Sequence, residues 1–166
     1  MKGIVVALGA WGLVSMAAVP ARAQGMTTVT PYQTPSFEVG VQAGFPTGFT
    51  GKVWLDERSA VDAGVAWGLG TGEFLMYGDF LAHTRSLTYE PEELSNIRLP
   101  LYVGIGPRLI RYPDGTVAVG PRVPVGIEAI FKQVPVSLFG EIAPAGEFGR
   151  TPIFTADAEV GARVWF

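Results

Sequence analysis

Phe154-Thr155-Ala156-Asp157-Ala158-Glu159-Val160-Gly161-Ala162-Arg163-Val164-Trp165-Phe166 closes the chain, and its reading decides the fold. Every second residue, from Phe154 through Ala156, Ala158, Val160, Ala162 and Val164 to Phe166, is apolar, while Asp157, Glu159 and Arg163 fall between them. Successive side chains of a strand point to opposite faces, so this stretch presents one apolar face and one charged face. A 3.6-residue period fits it nowhere.

The same alternation runs backward through the chain. Phe37, Val39, Val41, Ala43 and Phe45 oppose Glu38, Gly40, Gln42 and Gly44, and Val61, Ala63, Val65, Trp67 and Leu69 oppose Asp62, Gly64, Ala66 and Gly68. Eight such segments are expected, at 37–45, 49–55, 61–69, 74–83, 99–110, 116–131, 136–142 and 154–166. Residues suited to turns separate them, among them Pro46-Thr47-Gly48, Pro113-Asp114-Gly115 and the stretch 144–152. Summed over the segments, the apolar face carries no charge. The other face carries eleven: Glu38, Lys52, Asp62, Asp79, Arg108, Arg122, Glu128, Glu141, Asp157, Glu159 and Arg163.

Alternation by itself does not say which face is inside, because a soluble lipocalin-like barrel and a membrane barrel are inversions of one pattern. Glycine decides. Nine strand glycines share the charged face and three the apolar one, and a narrow lumen has more use for them than a solvated strand surface, which glycine weakens. In the hairpin around Asp114, pairing Tyr112 with Thr116 sets Arg108 opposite Gly120 and Arg122 opposite Gly106, so that each guanidinium has a gap to lie in. The expected fold is therefore all-β: an eight-stranded antiparallel up-and-down transmembrane β-barrel over residues 36–166.

Composition agrees. The 166 residues are 48% hydrophobic and 16% charged, with 22 Gly, no Cys and a net charge of −3, and the mean hydropathy is +0.31. An ordinary soluble domain has about 25% charged residues and about 7% Gly. Without Cys there is no disulfide framework, thiolate metal site or lipidated Cys anchor, and the acidic balance gives no footprint for nucleic acid. No His or carboxylate cluster has metal-ligand spacing, and no glycine-rich stretch precedes a helix as a phosphate loop would. No cofactor is expected.

The N-terminus reads as an export signal. Met1-Lys2 is a positive start, residues 4–19 are an apolar run, and Ala21-Arg22-Ala23 is a small-x-small cleavage site. Residues 1–23 are then a cleaved signal peptide and 24–35 an N-terminal extension. The apolar run is shorter than the roughly 20 residues that span a bilayer.

With that signal, the eight segments and a terminal aromatic, the chain resembles small eight-stranded bacterial outer-membrane β-barrels. The stretches Pro46-Thr47-Gly48, Leu99-Pro100-Leu101-Tyr102-Val103-Gly104-Ile105-Gly106, Val123-Pro124-Val125-Gly126 and Glu141-Ile142-Ala143-Pro144 are similar to a family of such barrels with no assigned activity. The resemblance implies the cell outer membrane as location, outer-membrane lipid as surroundings, and a C-terminal strand read by the barrel assembly machinery through Val160, Ala162, Val164 and Phe166. Val164 stands where such strands usually carry Tyr.

An eight-stranded interior is just wide enough for side chains to fill, so the eleven charges are expected to form a salt-bridged plug rather than an ion path. The excess of seven acids over four bases implies that some carboxylates share protons or hold a cation. His83, the one histidine, shares a face with Asp79 about 13 Å along the strand, too far for a base and its orienting carboxylate. Together with Ser86 it makes no recognisable catalytic motif, and a strand-end histidine near the interface is the expected role. Trp54, Trp67, Tyr112, Phe131, Phe154 and Phe166 near strand ends suit interfacial girdles. Pro107 and Pro121, facing each other, are expected to make a shared bulge or fraying. The longest connection, 85–98, falls on the side of the chain termini, which leaves short loops outside; its Glu90-Pro91-Glu92-Glu93-Leu94 stretch reads as a solvated acidic loop.

The function expected is a non-catalytic structural or interaction role in the envelope; the sequence leaves the oligomeric state open, with a monomer favoured. The alternatives are a soluble periplasmic lipocalin-like barrel with an apolar interior for a small apolar ligand, and a lipid-modifying barrel enzyme using His83.

Overall fold

The computed structural model describes residues 36–84, 96–149 and 153–166. The expected signal peptide at 1–23 and extension at 24–35, Ser86 and the 90–94 stretch lie outside them. Ten β-segments follow in order: β1 (Phe37–Phe45), β2 (Thr47–Trp54), β3 (Ser59–Trp67), β4 (Phe74–His83), β5 (Ile97–Arg98), β6 (Leu101–Arg111), β7 (Val117–Arg122), β8 (Val125–Phe131), β9 (Val136–Glu147) and β10 (Ile153–Trp165).

These make eight staves. Ile97 pairs with Phe131, Leu101 with Ile127 and Gly106 with Arg122 in one unbroken register, so β5 with β6 is one stave and β7 with β8 is another. All pairings are antiparallel, and eight pairs from Glu38↔Trp165 to Phe45↔Ala158 join β10 to β1 and close the barrel. Closure removes the sheet edges. The segment expected at 116–131 is interrupted at Val123-Pro124, and β9 runs through Pro144 to Glu147, where the sequence reads as a turn.

The apolar faces point outward. Val41, Phe49, Ile105, Ile142 and Val160 are more than half exposed, and the partners between them are buried. Leu75 and Ile110, with Tyr112 against them, fill the interior near the end opposite the chain termini, while Leu81 and Ile130 are fully buried near the terminal end. Both termini of the barrel lie together, with Ser36 N donating to Phe166 O at 3.1 Å. The connection from β4 to β5 opens and closes at this same end, as expected.

The hairpin register is as expected: Arg108 lies opposite Gly120 and Arg122 opposite Gly106. Tyr112 N donates to Thr116 O at 2.8 Å, Asp114 Oδ1 accepts from Thr116 N at 2.9 Å, and Gly115 supplies the positive φ of 84°.

Pro107 and Pro121 face each other, and no bulge interrupts their shared seam. They occupy a pair that exchanges no hydrogen bonds across that seam, so the missing donors belong to the flanking seams instead. Those are the seams that break. β4 and β6 are unpaired between Tyr77↔Arg108 and Phe80↔Ile105, and β7 meets β9 only at Arg122↔Ala145 and the bridge Val119↔Phe148.

Candidate functional site

All eleven charged residues named from the sequence point into the lumen, at 0–7% exposure. Glu147 joins them from β9, at 6% exposure; the sequence conceals it because Pro144 reads as the end of a strand. Eight acids then face four cations among the described residues.

The network has two layers. Toward the chain termini, Lys52 Nζ lies 3.3 Å from Glu38 and is bonded to Glu128, while Arg163 reaches Glu128 at 3.4 Å and is bonded to Asp62. Trp54 Nε1 and Ser137 Oγ each donate to Glu38 at 2.6 Å. In the middle, Arg122 gathers four carboxylates: Glu141 in direct contact, Glu159 at 2.8 Å, Asp79 at 3.3 Å and Asp157 at 4.0 Å. Arg108 then links Asp157, at 3.4 Å, to Glu147, at 3.3 Å.

Aromatic rings hold the cations from the side. Arg122 stacks over Tyr77 at 3.9 Å, Arg163 over Phe139 at 3.8 Å and Lys52 over Trp54 at 4.3 Å, each a cation–π contact. Glycine makes the rings fit. Gly64 lies opposite Tyr77 and Gly161 opposite Phe139, and a Cβ at either glycine would come within 2.4 Å of the ring. The glycines expected to leave gaps for guanidiniums act differently. A Cβ at Gly106 would lie 1.9 Å from Gly78 O and 2.3 Å from Asp79 Oδ1, and one at Gly120 would lie 1.8 Å from Gly146 O. At those two positions glycine allows neighbouring backbones to approach.

The aromatic girdle is corrected at two positions. Trp54 is 7% exposed and lies in the lumen, where its N–H meets Glu38. The Tyr112 hydroxyl donates inward to Glu147; burial and that bond push the phenol up to about 12. Trp67, Phe154 and Phe166 do face outward.

His83 is packed between the rings of Trp54, at 4.3 Å, and Tyr102, at 5.3 Å. Its Nε2 is 3.8 Å from Glu128, and neither ring nitrogen makes a hydrogen bond among the described residues. It is a buried packing residue of the lumen rather than an interfacial one. The described residues contain no group of three or more His, Cys, Asp or Glu placed to hold a metal ion. Val160, Val164 and Phe166 are exposed on the outer face of β10, and Ala162 is half-buried there.

These features define a closed antiparallel barrel with a charged interior and an apolar exterior. No family model matches the chain, and no curated protein matches it. Among solved structures it is similar to the crystal structure of the N-terminal β-barrel domain of Pseudomonas aeruginosa OprF, at 15% identity over 78% of this chain and 95% of that one, with a TM-score of 0.47.

Proposed function

We propose that the chain is an outer-membrane β-barrel whose lumen is plugged by its own ion pairs and which has a structural or interaction role in the envelope. The observation that carries this reading is the inversion of its faces: every charge on the strand faces named from the sequence is buried, and the large apolar side chains surround the outside. In water such a belt would far exceed the few hundred Å² of contiguous apolar surface that a monomer exposes. In a bilayer it is the surface required, since only closed barrels and helices satisfy every backbone group there. Full-length strands of 9 to 13 residues, as in β1, β4, β9 and β10, suit the ~9–11 residues of a tilted crossing.

A lipocalin-like barrel for an apolar ligand needs an apolar interior. Here that volume holds Lys52, Arg122 and Arg163. Outer-membrane lipid is then the chief partner, with the assembly machinery met through Val160, Ala162, Val164 and Phe166 during biogenesis. The test is fractionation of the cells that make the protein, followed by gel electrophoresis with and without boiling. Recovery with the outer membrane and a heat-dependent change in migration are expected. Recovery in the soluble periplasmic fraction without detergent overturns the reading.

A further inference from the structure

We propose that Glu141 and Glu159 hold one proton between them, which makes the middle of the lumen a proton-binding site. The two glutamates are direct partners in the β9–β10 ladder, on one face and both buried. Like charges placed opposite one another across strands repel, and a pair of close carboxyl groups relieves this by sharing a proton.

A second opposed acid pair in the barrel shows why this one is different. Asp62 and Asp79 are also ladder partners, but Asp62 is bonded to Arg163 and Asp79 lies by Arg122 at 3.3 Å. The two aspartates therefore face different guanidiniums. Glu141 and Glu159 instead converge on one nitrogen, Nη2 of Arg122, whose guanidinium also faces Asp79 and Asp157.

Asp157 is fully buried, and its ion-pair contacts to Arg108 at 3.4 Å and Arg122 at 4.0 Å complete no hydrogen bond at either end. The glutamates' remaining oxygens are directed elsewhere: Gln42 Nε2 of β1 donates to Glu159 Oε2 at 2.6 Å, and Tyr102 OH of β6 donates to Glu141 Oε2 at 2.8 Å. The other charged or titratable groups near the pair are Tyr77 and Asp79 on β4 and Asp62 on β3, with Arg108 of β6 and Glu147 of β9 beyond Asp157 and Arg163 of β10 beyond Asp62. A proton on the glutamate pair leaves more of the Arg122 charge for Asp79 and Asp157.

The test is infrared spectroscopy of the purified protein folded in detergent micelles at neutral pH, for the wild type, Glu141→Gln and Glu159→Gln. The wild type is expected to show a protonated-carboxyl C=O band that both variants lose. A wild type without that band, or a band unchanged in both variants, overturns the proposal. If neither variant folds, unfolding the wild type in weakly buffered neutral solution is expected to release about one proton or more per chain, and release of none overturns it. A folded state that forms only with added Na⁺ or Ca²⁺ also overturns it, assigning the site to a metal cation. None of these readings depends on where in the cell the protein resides.

Discussion

Arg122 joins more of the lumen than any other residue, since four carboxylates lie within 4.0 Å of it and a tyrosine ring lies beneath it. Arg122→Met keeps an unbranched apolar stem and removes the charged guanidinium. Removing one member of a buried ion network strands its partners, at a cost of about 3–5 kcal/mol, so the variant is expected to unfold at lower temperature, read as loss of the heat-sensitive folded band. An unchanged unfolding temperature would sink the plug as a source of stability. Glycine gives a test with its own control. Gly64→Ala drives a Cβ into the Tyr77 ring at 2.4 Å, whereas Gly51→Ala faces outward with nothing nearer than 3.5 Å. The first is expected to lower stability by about 1–3 kcal/mol and the second to leave it within about 0.5 kcal/mol, by denaturant titration in micelles.

At the scale of elements, the seams are unequal. β9 and β10 share twelve ladder pairs, while β7 and β9 share one pair and one bridge because Pro121 lacks the donor that this seam would use. Local opening follows the poorest backbone bonding. Hydrogen exchange should therefore find the amides of Val119 and Val123, which donate across the β7–β9 seam to Phe148 O at 2.8 Å and Pro144 O at 2.9 Å, exchanging before those of the β9–β10 ladder. Equal protection of both seams would contradict the assignment. The β2–β3 turn adds a pH dependence. Asp56 accepts from the backbone N–H of Arg58 at 2.7 Å and of Ser59 at 2.8 Å, and the Arg58 bond above all holds its carboxyl below the usual aspartate range. The carboxylate's contribution is present above the unfolded aspartate pKa and fades as pH falls through the lower folded value. Asp56→Asn should flatten the loss of stability in that acid window, measured by denaturant titration across it.

Across the whole molecule, what the sequence shows and what it hides follow from one distinction. Alternation between adjacent residues is local, so the faces of 37–45 and 154–166 are legible, and the short turn around Asp114 fixes the register that sets Arg122 opposite Gly106. The Glu141↔Glu159 pairing needs the register of two strands joined around Gly149, and no local pattern supplies it. Trp54 misleads because tryptophan has an apolar body and an N–H, and the Glu38 carboxylate in the lumen satisfies the latter.

The outward belt reports on what surrounds the barrel. Val41, the central residue of β1, is 53% exposed, while Leu69 lies beyond the end of β3 at 71% exposure. If water surrounds the barrel, Val41→Arg replaces an exposed apolar side chain with a solvated one and costs nearly nothing. If lipid surrounds it, the guanidinium stands near the midplane and destabilises the folded state by about 2–4 kcal/mol, whereas Leu69→Arg near the interface costs about 0–1 kcal/mol. Reversible folding of the wild type and both variants into lipid vesicles should give that gradient. The same two variants in any soluble state would show no dependence on depth, and equal stabilities in vesicles would count against a membrane-spanning barrel.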